Sequence, residues 1–172
     1  MHRKFLYIIG LAALLLASGN DAQAAPGTAT ASIGTAIGFN VLSELAFGTL
    51  VPDAGGTVII DPDQPDATSR SSTGAVIRVS SDYHPALITV TGDSHSNSTY
   101  QVTIPQTPRK ITNPEGKQMA VTLSISSNID KDKKGKFDIN HNGSFKIGGT
   151  LTVGKNQAQG VYRGTFVVMV NY

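Results

Sequence analysis

Along most of the chain, apolar and polar positions alternate one by one. At the C-terminal end Tyr162, Gly164, Phe166, Val168, Val170 and Tyr172 fall on one face, and Val161, Arg163, Thr165, Val167, Met169 and Asn171 on the other. Successive side chains of a strand point to opposite faces, so this period of two predicts a half-buried strand over 161–172. The same pattern places Met119, Val121, Leu123 and Ile125 on one face of a strand, Tyr100, Val102 and Ile104 on one face of another, and Phe145, Ile147, Gly149, Leu151 and Val153 on one face of a third. Shorter runs over 57–61, 74–80 and Ala86–Thr91 read the same way, in the Val, Ile, Thr and Tyr residues that favour pleated surfaces. Turn residues separate them at 52–56, 61–66, 92–93, 113–116 and 142–143. Asn142-Gly143 carries the signal of a type I′ hairpin, in which both central residues need positive φ. The only short helical candidate, 40–46, competes with a strand reading, and neither an internal repeat nor a second domain is read from the chain. Eight or nine strands with turns about every ten residues predict an all-β antiparallel sandwich or barrel.

The first residues break the pattern. His2, Arg3 and Lys4 precede a thirteen-residue apolar run from Phe5 to Ala17, and Ala22 and Ala24 stand two apart beyond it. That is the order of a secretory signal peptide, which predicts cleavage after Ala24. The apolar run is shorter than the roughly 20 residues a spanning helix needs, and the expected mature chain has no membrane span. The expected organisation is a signal peptide over 1–24, an N-terminal extension over 25–36 and a sandwich over 37–172.

Composition narrows the chemistry. Of the 172 residues 15% are charged and none is cysteine, which removes disulfide scaffolds, thiol enzymes and thiolate metal sites. Charge is uneven: residues 25–105 hold seven acidic and two basic side chains, and residues 106–172 hold four acidic and ten basic ones. Such asymmetry either steers association or marks two unlike faces of one domain. The short Lys131–Lys136 cluster reads as a solvated loop, too small for a nucleic-acid footprint.

Catalytic patterns are lacking. The histidines His84, His95 and His141 do not form an HExxH pair, and there is no GxSxG and no phosphate-binding glycine loop. Asp138, Asn140, Asn142 and Gly143 match the opening of a calcium loop, but its twelfth position is Gly149, where a bidentate Glu is required. The expectation is a protein that is not an enzyme, with no cofactor, no metal and no nucleic-acid partner.

The stretches GSFKIGGTLTV (143–153) and GVYRGTFVVMVNY (160–172), preceded in order by LAFG (45–48), GTV (56–58), ALITVTG (86–92) and YQVTIP (100–105), resemble a bacterial exported domain family of unknown function. That family in turn resembles the subunits of chaperone–usher fimbriae. The resemblance implies an immunoglobulin-like β-sandwich, a periplasmic or cell-surface location, and partners that are copies of itself, related subunits and a periplasmic chaperone. It also implies an open sheet edge that a neighbour's extended segment completes. Gly160, twelve residues before Tyr172, resembles the start of the terminal strand that contacts such a chaperone, with Tyr162 on the same face. In the extension Ala29, Ala31 and Ile33 alternate with small residues and lead into Ile37. Residues 29–41, fully extended, span about 43 Å, enough for a donor segment followed by a first strand beginning at Ile37; the alternative is an ordinary edge strand that pairs within its own domain. The subunit-contact candidates are therefore Ala29, Ala31, Ile33, Ile37, Gly160, Tyr162 and Tyr172. The alternative function is a monomeric periplasmic or cell-surface binding module.

Overall fold

The computed structural model describes residues 37–79, 81–93, 98–105 and 109–172. The expected signal peptide over 1–24, the expected extension with Ala29, Ala31 and Ile33, and His95 lie outside these residues. Ten strands follow in order: β1 (Gly38–Ser43), β2 (Leu50–Ile60), β3 (Arg70–Arg78), β4 (Ala86–Thr91), β5 (Thr99–Thr103), β6 (Arg109–Thr112), β7 (Gln118–Ile125), β8 (Lys134–Lys136), β9 (Asn142–Val153) and β10 (Met169–Asn171). One 3-10 turn, Asp66–Thr68, sits between β2 and β3. The 40–46 segment that admitted a helix is taken up largely by β1. The chain is all-β, as its alternation predicts.

All strand pairs are antiparallel and form two sheets, one of seven strands and one of three in the order β10-β5-β8. The long β9 is the axis of the larger sheet. Its first half pairs with β4 and its second half with β2, end to end along one edge, while β7 lies along the other. β1 pairs only with β4, and β6 joins through β7. Inward residues of both sheets meet in one cluster: Ala86, Ile88, Val90, Phe145 and Ile147 from the larger, Tyr100 and Val102 from the smaller, with Ile129 beneath them. A second cluster of Val58, Val76, Val121, Leu151 and Val153 fills the other end of β9. Burial of such side chains, at roughly 25 cal/mol per Å² of apolar surface, is the main force holding a chain without disulfides together.

Three local expectations are corrected. Residues 52–56 do not turn the chain; they form a bulge inside β2, where the register slips between Pro52 and Gly55. Gly74 (φ 75°) stands opposite Gly56 and beside Gly55 (φ 84°), and a Cβ on Gly74 would stand 2.6 Å from the Gly55 carbonyl oxygen. The bulge needs glycine at both positions. Asn142-Gly143 is not a hairpin turn either. Both residues lie in β9, and the positive φ falls on His141 (59°), at the end of a turn opened by Asp138. Finally, the terminal strand over 161–172 keeps its two faces but among the described residues is laddered only at Arg163, opposite Thr112, and over β10.

Candidate strand-accepting edge

Among the described residues, the C-terminal segment is fastened at both ends. At one end Gly160 (φ 137°) packs on Asn113, with a Cβ position 3.1 Å from Nδ2. Asn113 is buried, donates from Nδ2 to the Gln159 carbonyl, and accepts at Oδ1 from the Glu115 and Lys117 amides. This one side chain thus clamps the start of the segment to the β6–β7 turn. Tyr162 donates from its hydroxyl to the Ala158 carbonyl and accepts from Gln157 Nε2. Arg163 and Thr112 exchange both main-chain hydrogen bonds. At Gly164 the segment comes so close to β6 that a Cβ would lie 2.9 Å from the Lys110 carbonyl oxygen.

At the far end β10 pairs with β5, and Tyr172 accepts the Asp93 amide at its hydroxyl while its ring stands 6.4 Å from that of Phe137. Between the fastenings, Phe166, Val168 and Val170 pack inward on the first core cluster, as their spacing predicts. The other face, with Val161, Val167 and Met169, is turned to solvent at 64%, 55% and 48% exposure. Along the edge away from β5 and β6, no strand pairs with the segment among the described residues.

The first strand shows the matching deficit. Phe39 stands opposite Val90 and Val41 opposite Ile88. Cross-strand partners share a face, and Val90 and Ile88 are core residues, so Phe39 and Val41 face the core side. Yet they remain 53% and 50% exposed. Ile37, just before β1, packs on the cluster that holds Phe166, Val168 and Val170. Of the predicted contact residues, the structure therefore brings Ile37 and the inward face of the C-terminal segment to one cluster. Gly160 and Tyr172 mark the segment's two ends. Phe39 and Val41 were not among the candidates, because alternation alone does not show which inward residues lack a cover.

A second feature escaped the sequence reading: an eight-residue repeat, DKDKKGKF at 130–137 and DINHNGSF at 138–145. Asp130 Oδ1 accepts from the amides of Asp132 and Lys134, and Asp138 Oδ1 accepts from those of Asn140 and Asn142. The αL position follows in each, at Lys133 (φ 64°) and His141 (φ 59°). The glycines, Gly135 and Gly143, both lie against the Tyr100 ring, where a Cβ on either would collide with it. The phenylalanines flank the same ring, at 4.9 Å for Phe137 and 6.3 Å for Phe145. Burial pushes the Tyr100 phenol above its ordinary pKa, and its hydroxyl donates to the Ser144 carbonyl. In the calcium-like loop, Asp138 Oδ1 is thus committed to closing the turn. Among the described residues no group of three or more His, Cys, Asp or Glu side chains is placed to hold a metal ion, and no helix is long and apolar enough to cross a membrane.

Over residues 37–172 the chain belongs to a family described as a domain of unknown function, DUF4402. No curated protein and no solved structure matches it.

Proposed function

We propose that this member of a family without an assigned activity is an exported, non-catalytic structural protein of a bacterial periplasm or cell surface that assembles by strand addition, in the manner of a fimbrial subunit. The observation that carries the reading is the uncovered inward row of β1, Phe39 and Val41, on the same core that the C-terminal segment covers with Phe166 and Val168. An extended segment laid along the free edge would gain main-chain hydrogen bonds, and its alternate side chains would shield that row. Residues 25–36 of another copy have a suitable pattern, with Ala29, Ala31 and Ile33 alternating. Their small side chains suit shallow pockets.

Sedimentation of the purified exported protein, with and without residues 25–36, tests this. The expected result is a series of oligomers for the longer chain and monomers for the shorter. The shorter chain should also melt at a higher temperature when a synthetic peptide of residues 25–36 is added. Oligomers in both cases would remove the extension as donor. Well-folded monomers in both cases, with no effect of the peptide, would favour a monomeric binding module.

A further inference from the structure

An aspartate-bearing loop lies on the outer face of the larger sheet, and a row of lysines lies on the outer face of the smaller one. On the larger sheet Lys146 and Leu87 alternate with the core residues Phe145, Ile147, Ala86 and Ile88 and so mark its outer face. The loop between β2 and β3 is tied down on that face. Asp66 pairs with Lys146 at 3.4 Å, Asp63 accepts the Ser127 amide at 2.7 Å, and Tyr83 donates to the Ala67 carbonyl at 2.8 Å. These ties gather Asp61, Asp63 and Asp66, with exposed Asp82 next to Tyr83 in the chain and Lys146 and Arg70 as the nearby cations. The Arg70 guanidinium lies 3.9 Å over the Tyr83 ring and donates to the Phe47 carbonyl. On the smaller sheet, Lys134 and Lys136 flank buried Gly135 and therefore point outward, next to exposed Lys131 and Lys133. Arg163 stands on the exposed row of the C-terminal segment. Of the acids in the same stretch, Asp130 and Asp138 each spend one carboxylate oxygen on their own turns, and Asp132 is exposed among the four lysines.

We propose that the lysine-bearing outer face of the smaller sheet docks on the aspartate loop of a second copy of this chain. Both complementary surfaces are on every copy and on opposite sides. Such a contact is heterologous, leaves a free surface of each kind at the ends, and extends copy after copy. It uses neither the free edge of the C-terminal segment nor residues 25–36, so it stands apart from strand addition and would align subunits side by side. Exposed ion pairs each contribute about 0–1 kcal/mol and act within a screening length of about 10 Å at 0.1 M salt. The contact is therefore weak, multivalent and sensitive to ionic strength.

Two charge-reversed variants of the whole exported protein test it: K134E/K136E on the lysine face and D66K/D82K on the loop. Circular dichroism and melting check that each is folded, and K134Q/K136Q replaces the first if it is not. Sedimentation at low and high salt then reads the mass gained on lowering the salt. The wild type should gain mass at about 25 mM salt, with an association constant at least tenfold lower at about 300 mM, where charges are screened. Each variant alone should lose the gain, and an equal mixture of the two should recover it, because each then offers the sign the other lacks. Oligomers held by strand addition persist at high salt and are lost on deleting residues 25–36, so the two contacts are separable. A wild type that gains no mass at low salt, a gain indifferent to salt, or a gain unchanged in K134E/K136E overturns the proposal. So does a wild type that gains no mass but is retained by dextran sulfate through Lys134 and Lys136, which would assign the face to an anionic polymer.

Discussion

The smaller sheet ends in two edges that could hardly be more different. On one side β8 is three residues long, and two of them are the outward lysines Lys134 and Lys136. On the other side the C-terminal segment runs for a dozen residues with Val161, Val167 and Met169 turned outward and Phe166 and Val168 half covered. A free strand edge is a template for pairing with another chain, and short strands carrying lysine are a common way to close it. β8 has that protection, and among the described residues the C-terminal segment has none.

The cores beneath the two edges differ as well, and mutations there have the largest expected effects. Behind β8, Tyr100 is fully buried between two glycines and two phenylalanines. Tyr100→Ala should cost about 3–5 kcal/mol, the range for truncating a buried aromatic. Phe166→Ala, on the half-covered side, should cost clearly less, about 2 kcal/mol, and less still in an assembled form if a donor takes up the space. Urea denaturation of both variants checks the order. Equal losses would mean that the C-terminal segment is packed as completely as β8.

The fastening of the open side is a smaller matter. Tyr172→Phe removes the acceptor of the Asp93 amide but keeps the ring beside Phe137. It should lower stability by about 0.5–1.5 kcal/mol and increase amide exchange over Met169–Asn171 before it affects β8. Exchange that rises equally on both sides would show that the two edges open together.

Changing the protection itself should leave folding nearly untouched. K134V/K136V and V161K/V167K are exposed substitutions, each expected to fall within about 0.5 kcal/mol of the wild type. Their effects on association should be opposite. The first opens a second sticky edge and promotes aggregation; the second gives the open edge the protection β8 already has and suppresses strand addition. Light scattering at matched concentration distinguishes them, and two variants that behave alike would end the contrast between the edges.

Much of the fold was legible because half-buried strands write their burial into alternation. The run over Ala86–Thr91 is β4 to the residue, and β5, β7 and β9 differ from their predicted runs only at the ends. What failed was everything whose structure depends on a distant partner. Lys-Gly-Lys has no strand signal of its own; β8 exists because Gly135 fits beneath Tyr100 in register with β5. Pro52 to Gly56 has the composition of a turn, but β3 supplies Gly74 opposite it and converts it to a bulge. The repeat over 130–145 keeps only Asp, Gly and Phe identical in eight positions, too little to notice until both glycines are found on one ring. At the candidate edge, the inward face of the C-terminal segment was readable, and the lack of cover over Phe39 and Val41 was not. Cover is a relation between strands far apart in the chain.

The last expected effect concerns the protected side at high pH. Burial raises the Tyr100 pKa in the folded protein, whereas in the unfolded chain the phenol titrates near its ordinary value of about 10. The folded state therefore holds this proton more tightly. The resulting stability is fully present below about pH 10 and is lost as pH rises through the folded value. Tyr100→Phe keeps the ring between its glycines but loses the hydrogen bond to the Ser144 carbonyl, a cost of about 0.5–1.5 kcal/mol at neutral pH. Above pH 10 the wild type should lose stability more steeply than the variant, so the gap between them narrows. The other tyrosines and the lysines are common to both proteins and largely cancel in the difference. Urea denaturation from pH 8 to 11 reads that difference directly. A gap that stays constant across the range would mean that the phenol reaches water in the folded state, and that the β8 side is less closed than its lysines and glycines imply.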